Sequence, residues 1–309
     1  MRETGGVPER VWAAGGPFDL GRTLAPLRRG SGDPAYRVPG DGTIWRAVRT
    51  PDGPGTLRVV ADGPRSAGRV HARAYGPGAG WLLAELPRML GADDDPRSFA
   101  PRHPGLARAA MAVPGLRIGR LGSVFDMLVP AVLEQKVVGR EAWRAWRYLV
   151  RRYGEVAPGP APDGRPMHVP PAPSVWAGIP SWEWHRAGAE AVRARTIITA
   201  ARVADRLEGH ESAETDRRLR SLPGIGVWTS AEIRQRALGD ADAISVGDYH
   251  LPSIVGWSLT GEKTDDAGML ELLRPYAGHR YRVTRLLELT GSRPPARGPR
   301  MPARDYRRI

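Results

Sequence analysis

The chain's 309 residues are enough for two domains or one large one, and 41% hydrophobic residues are enough for a real core. Its net charge of +13 favours a polyanionic partner, most simply nucleic acid; a compositional bias in the genome explains equally well why Lys136 and Lys263 are the only lysines. The absence of Cys excludes disulfides, thiolate zinc sites and thiolate iron–sulfur clusters, the seven His show no ligand spacing, and no apolar run approaches a membrane span. The first six residues do not read as a signal peptide, so a cytoplasmic, nucleoid-associated protein is expected.

In chain order, the first part reads as short strands and turns. "TIWRAVRTPDGPG" is a strand and a Pro-Gly turn, and "GTLRVVADGP" and "GRVHARAYGPG" are strands, the latter alternating apolar and polar residues. "GWLLAELPRML" has helical spacing, and "GADDDPRSFAPRHPG" is a Pro-rich connection. From Ser123 the pattern is helical. "SVFDMLVPAVLEQKVVGREAWRAWRYLVRRYG" predicts two helices joined at Gly139 and Arg140, and "EVAPGPAPDGRPMHVPPAPSVW" predicts a loop unable to hold a helix. Helices resume at Ser181 with a break at Gly188 and continue through "TDRRLRSL", "VWTSAEIRQRAL", "YHLPSIVGWSL", "DAGMLELLRPYAG" and "RYRVTRLLELTG". The expected class is α+β: an α+β domain over residues 1–115, an all-α region over 116–291, and a basic, Pro-rich, disordered tail over 292–309.

Leu222-Pro223-Gly224-Ile225-Gly226 sits between two of these helical stretches. Pro223 ends the first, Leu222 and Ile225 are apolar plugs, and Thr229 falls in the first turn of the second. Gly224 and Gly226 allow positive φ and leave the backbone bare of side chains. Free N–H groups at a helix start bind an anion, which in a basic protein points to a DNA phosphate contacted without regard to sequence. An ordinary helix corner with a Gly C-cap has the same local text. About twenty residues later, "GDADAISVGDYHL" sets Asp248 at the expected start of a further helix. A plain N-cap Asp would stand there too.

Together these stretches resemble the HhH-GPD superfamily of base-excision DNA glycosylases. "LPGIGVWTSAEI" is similar to its helix-hairpin-helix, "VLEQKVVGREAW" to the helix facing the flipped nucleotide, "GAEAVRARTIITAA" to its G-x-x-x-x-RA helix, and Asp248 to its loop Asp. The match runs roughly from Ser123 to Gly291. Within the superfamily the chain is similar to the bacterial 3-methyladenine DNA glycosylase II (alkylbase) branch, whose TBP-like α+β domain suits residues 1–115 by pattern.

The resemblance implies a monomeric enzyme without cofactor that flips a damaged, alkylated base out of double-stranded DNA and hydrolyses its N-glycosidic bond. Asp248 is then the catalytic carboxylate. Leu222, Gly224, Ile225, Gly226 and Thr229 bind DNA, with a monovalent cation possible at the hairpin. Gln135 and Lys136 fill the gap left by the base. Trp228, Glu232 and Tyr249 line the base pocket, although a Trp packed in a helix would look the same as Trp228 in sequence. Lyase members carry a Schiff-base Lys where this chain has Trp228, so a water-using, monofunctional enzyme is expected. Three departures stand out: a Lys at 136, Glu232 in place of a pocket aromatic, and no second aromatic near Glu288 on the last helix. The alternatives are a non-catalytic helix-hairpin-helix DNA-binding protein and a bifunctional glycosylase/lyase.

Overall fold

The computed structural model describes residues 6–63, 68–290 and 294, so the expected tail lies outside it but for residue 294. Five strands, β1 (Glu9–Ala13), β2 (Tyr36–Arg37), β3 (Ile44–Thr50), β4 (Gly53–Ala61) and β5 (Arg69–Tyr75), form an antiparallel sheet in the order β1-β5-β4-β3-β2. Alternation decides which way β5 faces: Val70, Ala72 and Ala74 point inward, while Arg69, His71 and Arg73 are exposed. Two helices accompany the sheet, α1 (Leu20–Leu24) and α2 (Ala79–Met89), and α2 covers β4 and β5 with Leu82, Leu83 and Leu86. Each such Leu stabilises the fold by roughly 1.5–3 kcal/mol through burial alone.

The helical part begins with α3 (Pro104–Ala112), α4 (Val124–Leu133) and α5 (Gly139–Tyr153). The α4–α5 joint lies at 134–138, just ahead of the expected one, and Gly139 is the first residue of α5. On α5, Ala142, Ala145, Trp146, Leu149 and Val150 are buried, and Arg140, Arg144, Arg147 and Arg151 occupy the opposite face at helical spacing. The Pro-rich stretch that follows is a correction. It holds a ribbon of β6 (Glu155–Val156) and β7 (His168–Val169) and the start of α6 (Pro173–Gly178). Pro173 occupies the first helical turn, where its missing N–H costs nothing, and Trp176 packs between Trp146 and Trp184. The chain continues through α7 (Ser181–Ala187), α8 (Ala191–Ala201), α9 (Ser212–Arg220), α10 (Val227–Ala237), α11 (Leu251–Thr260), α12 (Asp266–Leu273) and α13 (Arg280–Thr290). Gly188 ends α7 in the left-handed conformation, at the break expected there.

Two hydrophobic cores organise these elements. The first unites the sheet and α2 with α4, α5, α8 and the inner face of α10. The second contains α3, α11, α12 and α13. Because α3 packs with the last helices, a boundary at residue 115 separates it from its own core. An Arg282–Asp94 ion pair ties α13 of the second core to the loop after α2. Among the described residues, no helix is long and apolar enough to cross a membrane.

Candidate active site

The loop between α9 and α10 forms the hairpin. Ile225 is buried, its N–H donates to the Leu222 carbonyl (3.1 Å), and Leu222 is half-buried against the first core. The two glycines differ. Gly224 has φ +88, and a Cβ there would stand 2.1 Å from Thr196 Oγ1. Gly226, where positive φ is allowed but not required, is extended (φ −96) with nothing within 4 Å of a Cβ. No side chain caps α10, and among the described residues nothing accepts from the N–H groups of Gly226, Val227, Trp228 or Thr229. Such a group of donors at a helix start carries the positive end of the helix dipole. The Thr229 side chain is buried (3% exposed), so of this residue, expected at the DNA, only the backbone N–H is open to an anion.

The helix α8 supports this surface from behind. Thr196 Oγ1 donates to the Pro223 carbonyl of the hairpin (3.1 Å), and Arg193 Nη1 donates to the Leu133 carbonyl at the end of α4 (3.0 Å). The Gln135 amide also reaches the hairpin, donating to the Gly224 carbonyl (2.9 Å) and to Thr229 Oγ1 (2.8 Å). A cation at the hairpin would therefore share carbonyls that already accept bonds from Ile225, Thr196 and Gln135. With the Gln135 amide so committed, Lys136 is the exposed member of the pair, and it holds a left-handed φ of 54. That conformation costs a non-Gly residue about 1 kcal/mol or more and concentrates at functional turns.

Asp248 lies where the cores meet. The preceding loop is pinned at Asp240, which accepts from the N–H groups of Asp242 and Ala243, and at Gly247 (φ +88), whose N–H donates to Asp266. Asp248 Oδ1 accepts from the N–H groups of His250 (2.8 Å) and Leu251 (2.9 Å) at the start of α11. Oδ2 accepts from Trp228 Nε1 (3.1 Å) on α10. The capping alternative thus accounts for one oxygen only; the other faces the hairpin's second helix. Among the described residues no cluster of three or more His, Asp or Glu could hold a metal ion.

The other residues expected in the base pocket fall in different places. Tyr249 is 89% exposed, edge-on to His250 at 4.8 Å. Glu232, one turn beyond Trp228 on α10, points inward, where Oε1 accepts from Ser245 Oγ (2.5 Å) and Oε2 from Arg236 Nη1 (2.7 Å). Burial opposes the charge on Arg236, but Glu232, Tyr281 and Glu134 outweigh it and hold its pKa above the ordinary value. Tyr281 is a buried aromatic on the last helix, two turns before Glu288, and Arg285 lies beside it. Sequence reasoning missed Tyr281 and Arg236; their only signal was helical spacing, Arg236 being eight residues beyond Trp228 on α10.

No protein-family profile matches the chain. A curated relative, "Probable bifunctional transcriptional activator/DNA repair enzyme AlkA" of Mycobacterium tuberculosis, is 33% identical over 178 residues, covering 54% of this chain. The chain spans only about a third (34%) of that relative's length. Among solved structures, the 3-methyladenine DNA-glycosylase from Archaeoglobus fulgidus superposes with a TM-score of 0.72 at 16% identity, over 90% of this chain and 97% of that one. The apo 8-oxoguanine glycosylase/lyase of Clostridium acetobutylicum gives 0.69 at 12% identity, over 92% and 98%. The chain thus shares the overall fold of these glycosylase structures, and over 178 residues its sequence is similar to that of the AlkA relative.

Proposed function

We propose that the chain is a monofunctional DNA glycosylase that removes a damaged base, of the alkylated class, at the start of base-excision repair. The observation that carries this reading is the Asp248 carboxylate, fixed by three N–H donors between α10 and α11. One end of α10 presents unpaired N–H groups to a phosphate, and its indole touches the carboxylate, so grip and chemistry share one rigid helix. The base leaves the stack at a cost of roughly a few kcal/mol, and Lys136 at its exposed turn occupies the space left behind.

The C1′–N bond then breaks and its electron pair departs with the base. Asp248 stabilises the positive charge on the deoxyribose and takes a proton from water as the water oxygen bonds to C1′. A base that was cationic leaves neutral; a neutral base takes a proton from solvent. An indole cannot form a Schiff base, so Trp228 supports hydrolysis without strand scission. The protein acts as a monomer on duplex DNA in the cytoplasm.

The test is incubation with duplexes carrying single defined lesions, scored for abasic sites. Asp248→Asn should bind duplex normally and release base on the order of 10²–10³ times more slowly. Near-normal turnover by this variant removes Asp248 from the mechanism, and no release by the unaltered protein from any lesion refutes the activity. The rival, a non-catalytic DNA-binding protein, predicts that second result.

A further inference from the structure

Trp228 is expected to present a ring face to a flipped base, yet its ring edge is already committed. Oδ1 of Asp248 takes two backbone N–H donors, which occupy both of its lone pairs. Oδ2 takes one donor, the Trp228 indole at 3.1 Å, which leaves it a free lone pair. The donors to Oδ1 belong to α11 in the second core, whereas the donor to Oδ2 belongs to α10, whose inner face lies in the first. The carboxylate plane is therefore set by both cores at once, and rotation about either side-chain bond breaks a bond to one of them.

We propose that Trp228 is a positioning residue: its indole N–H holds Asp248 so that Oδ2, the oxygen with a free lone pair, faces the reacting sugar and water. This rests on the glycosylase reading. It assigns to the edge of the Trp228 ring a role separate from any stacking on its face. Nothing else supplies a donor to Oδ2 among the described residues, so loss of the N–H frees the carboxylate to turn about its Oδ1 anchors.

Two substitutions separate edge from face. Trp228→Phe keeps an aromatic face and has no donor. Trp228→His removes the benzo ring but keeps a five-membered ring, with Nε2 the same number of bonds from the backbone as the indole Nε1. Each is assayed in single-turnover base release from a lesion duplex, alongside binding to undamaged duplex as a check on folding. The Phe variant should lose on the order of 10–10²-fold in maximal rate, the scale of a misplaced catalytic group, with its half-saturation concentration unchanged. The His variant should recover most of that rate, with any loss confined to half-saturation. A Phe variant with the unaltered maximal rate, or a His variant as slow as Phe, overturns the proposal. An unaltered protein that releases no base removes the reaction itself, and the inference falls with it; that failure is visible before any variant is compared.

Discussion

Gly224 and Gly226 look alike in sequence and are held differently, so replacing each by Ala should have opposite consequences. At Gly224 the backbone is left-handed, which costs an Ala roughly 1–2 kcal/mol. The new Cβ would also fall 2.1 Å from Thr196 Oγ1 and displace the hydroxyl from the Pro223 carbonyl, a bond worth about 1 kcal/mol. The sum, about 2–3 kcal/mol, should appear as lost stability in urea unfolding. At Gly226, φ is −96 and a Cβ meets nothing, so Ala should leave stability unchanged or raise it by about 0.4–1 kcal/mol. Its effect should be on DNA: a methyl group on bare backbone obstructs a phosphate approaching the N–H groups of α10. Equilibrium binding of Gly226→Ala should therefore weaken about equally for damaged and undamaged duplexes, because the contact reads no base. A stable Gly226→Ala protein that binds undamaged DNA normally but has lost lesion preference would refute the phosphate reading and move the hairpin into the base pocket.

Two further outcomes are expected. Borohydride added during turnover should trap no covalent adduct with DNA, since Trp228 offers no amine; an adduct on gel electrophoresis would overturn monofunctional chemistry and implicate Lys136. Duplex binding should weaken steeply with salt, with a log–log slope of roughly −0.9 per phosphate contact, and a flat plot would argue against a nucleic-acid partner.

What could be read in the sequence was local. The hairpin, Asp248 and the helix carrying Arg193 and Thr196 each lie within a short contiguous stretch, where proline, glycine and helical period leave direct traces. The α6 start is hidden in the sequence because the helix-breaking rule for proline does not apply to the first turn, and Trp176, which anchors α6, gains its partners only in the folded chain. Distance along the chain hid the rest. Gln135 meets Thr229 across 94 residues, and Asp94 pairs with Arg282 across 188. The packing of α3 with α11 and α13 is long-range in the same way, and a linear division at 115 cannot express it. The sign of φ at the two glycines is hidden for a different reason: φ belongs to the fold, and the letter G permits either sign.

Glu232 is where sequence and structure diverge most usefully, because its two readings predict different measurements. As a free carboxylate facing a flipped base, it would tolerate Glu232→Gln with no loss of stability and alter only base preference. In the structure its side chain is 14% exposed and pairs with Arg236, which is 17% exposed. Removing one member of such a pair leaves the other charge poorly solvated, and for fully buried pairs the cost is about 3–5 kcal/mol. With some solvent access here, Glu232→Gln should cost about 2–3 kcal/mol, and it also weakens the Ser245 bond. Replacing both partners by Met removes both charges, so the double variant should recover much of that loss, because no uncompensated charge remains. Thermal unfolding of Glu232→Met, Arg236→Met and the double Met variant gives the coupling directly. Coupling near zero would mean that the ion pair contributes nothing, and Glu232 would return to the pocket wall as a free carboxylate able to attract a cationic base.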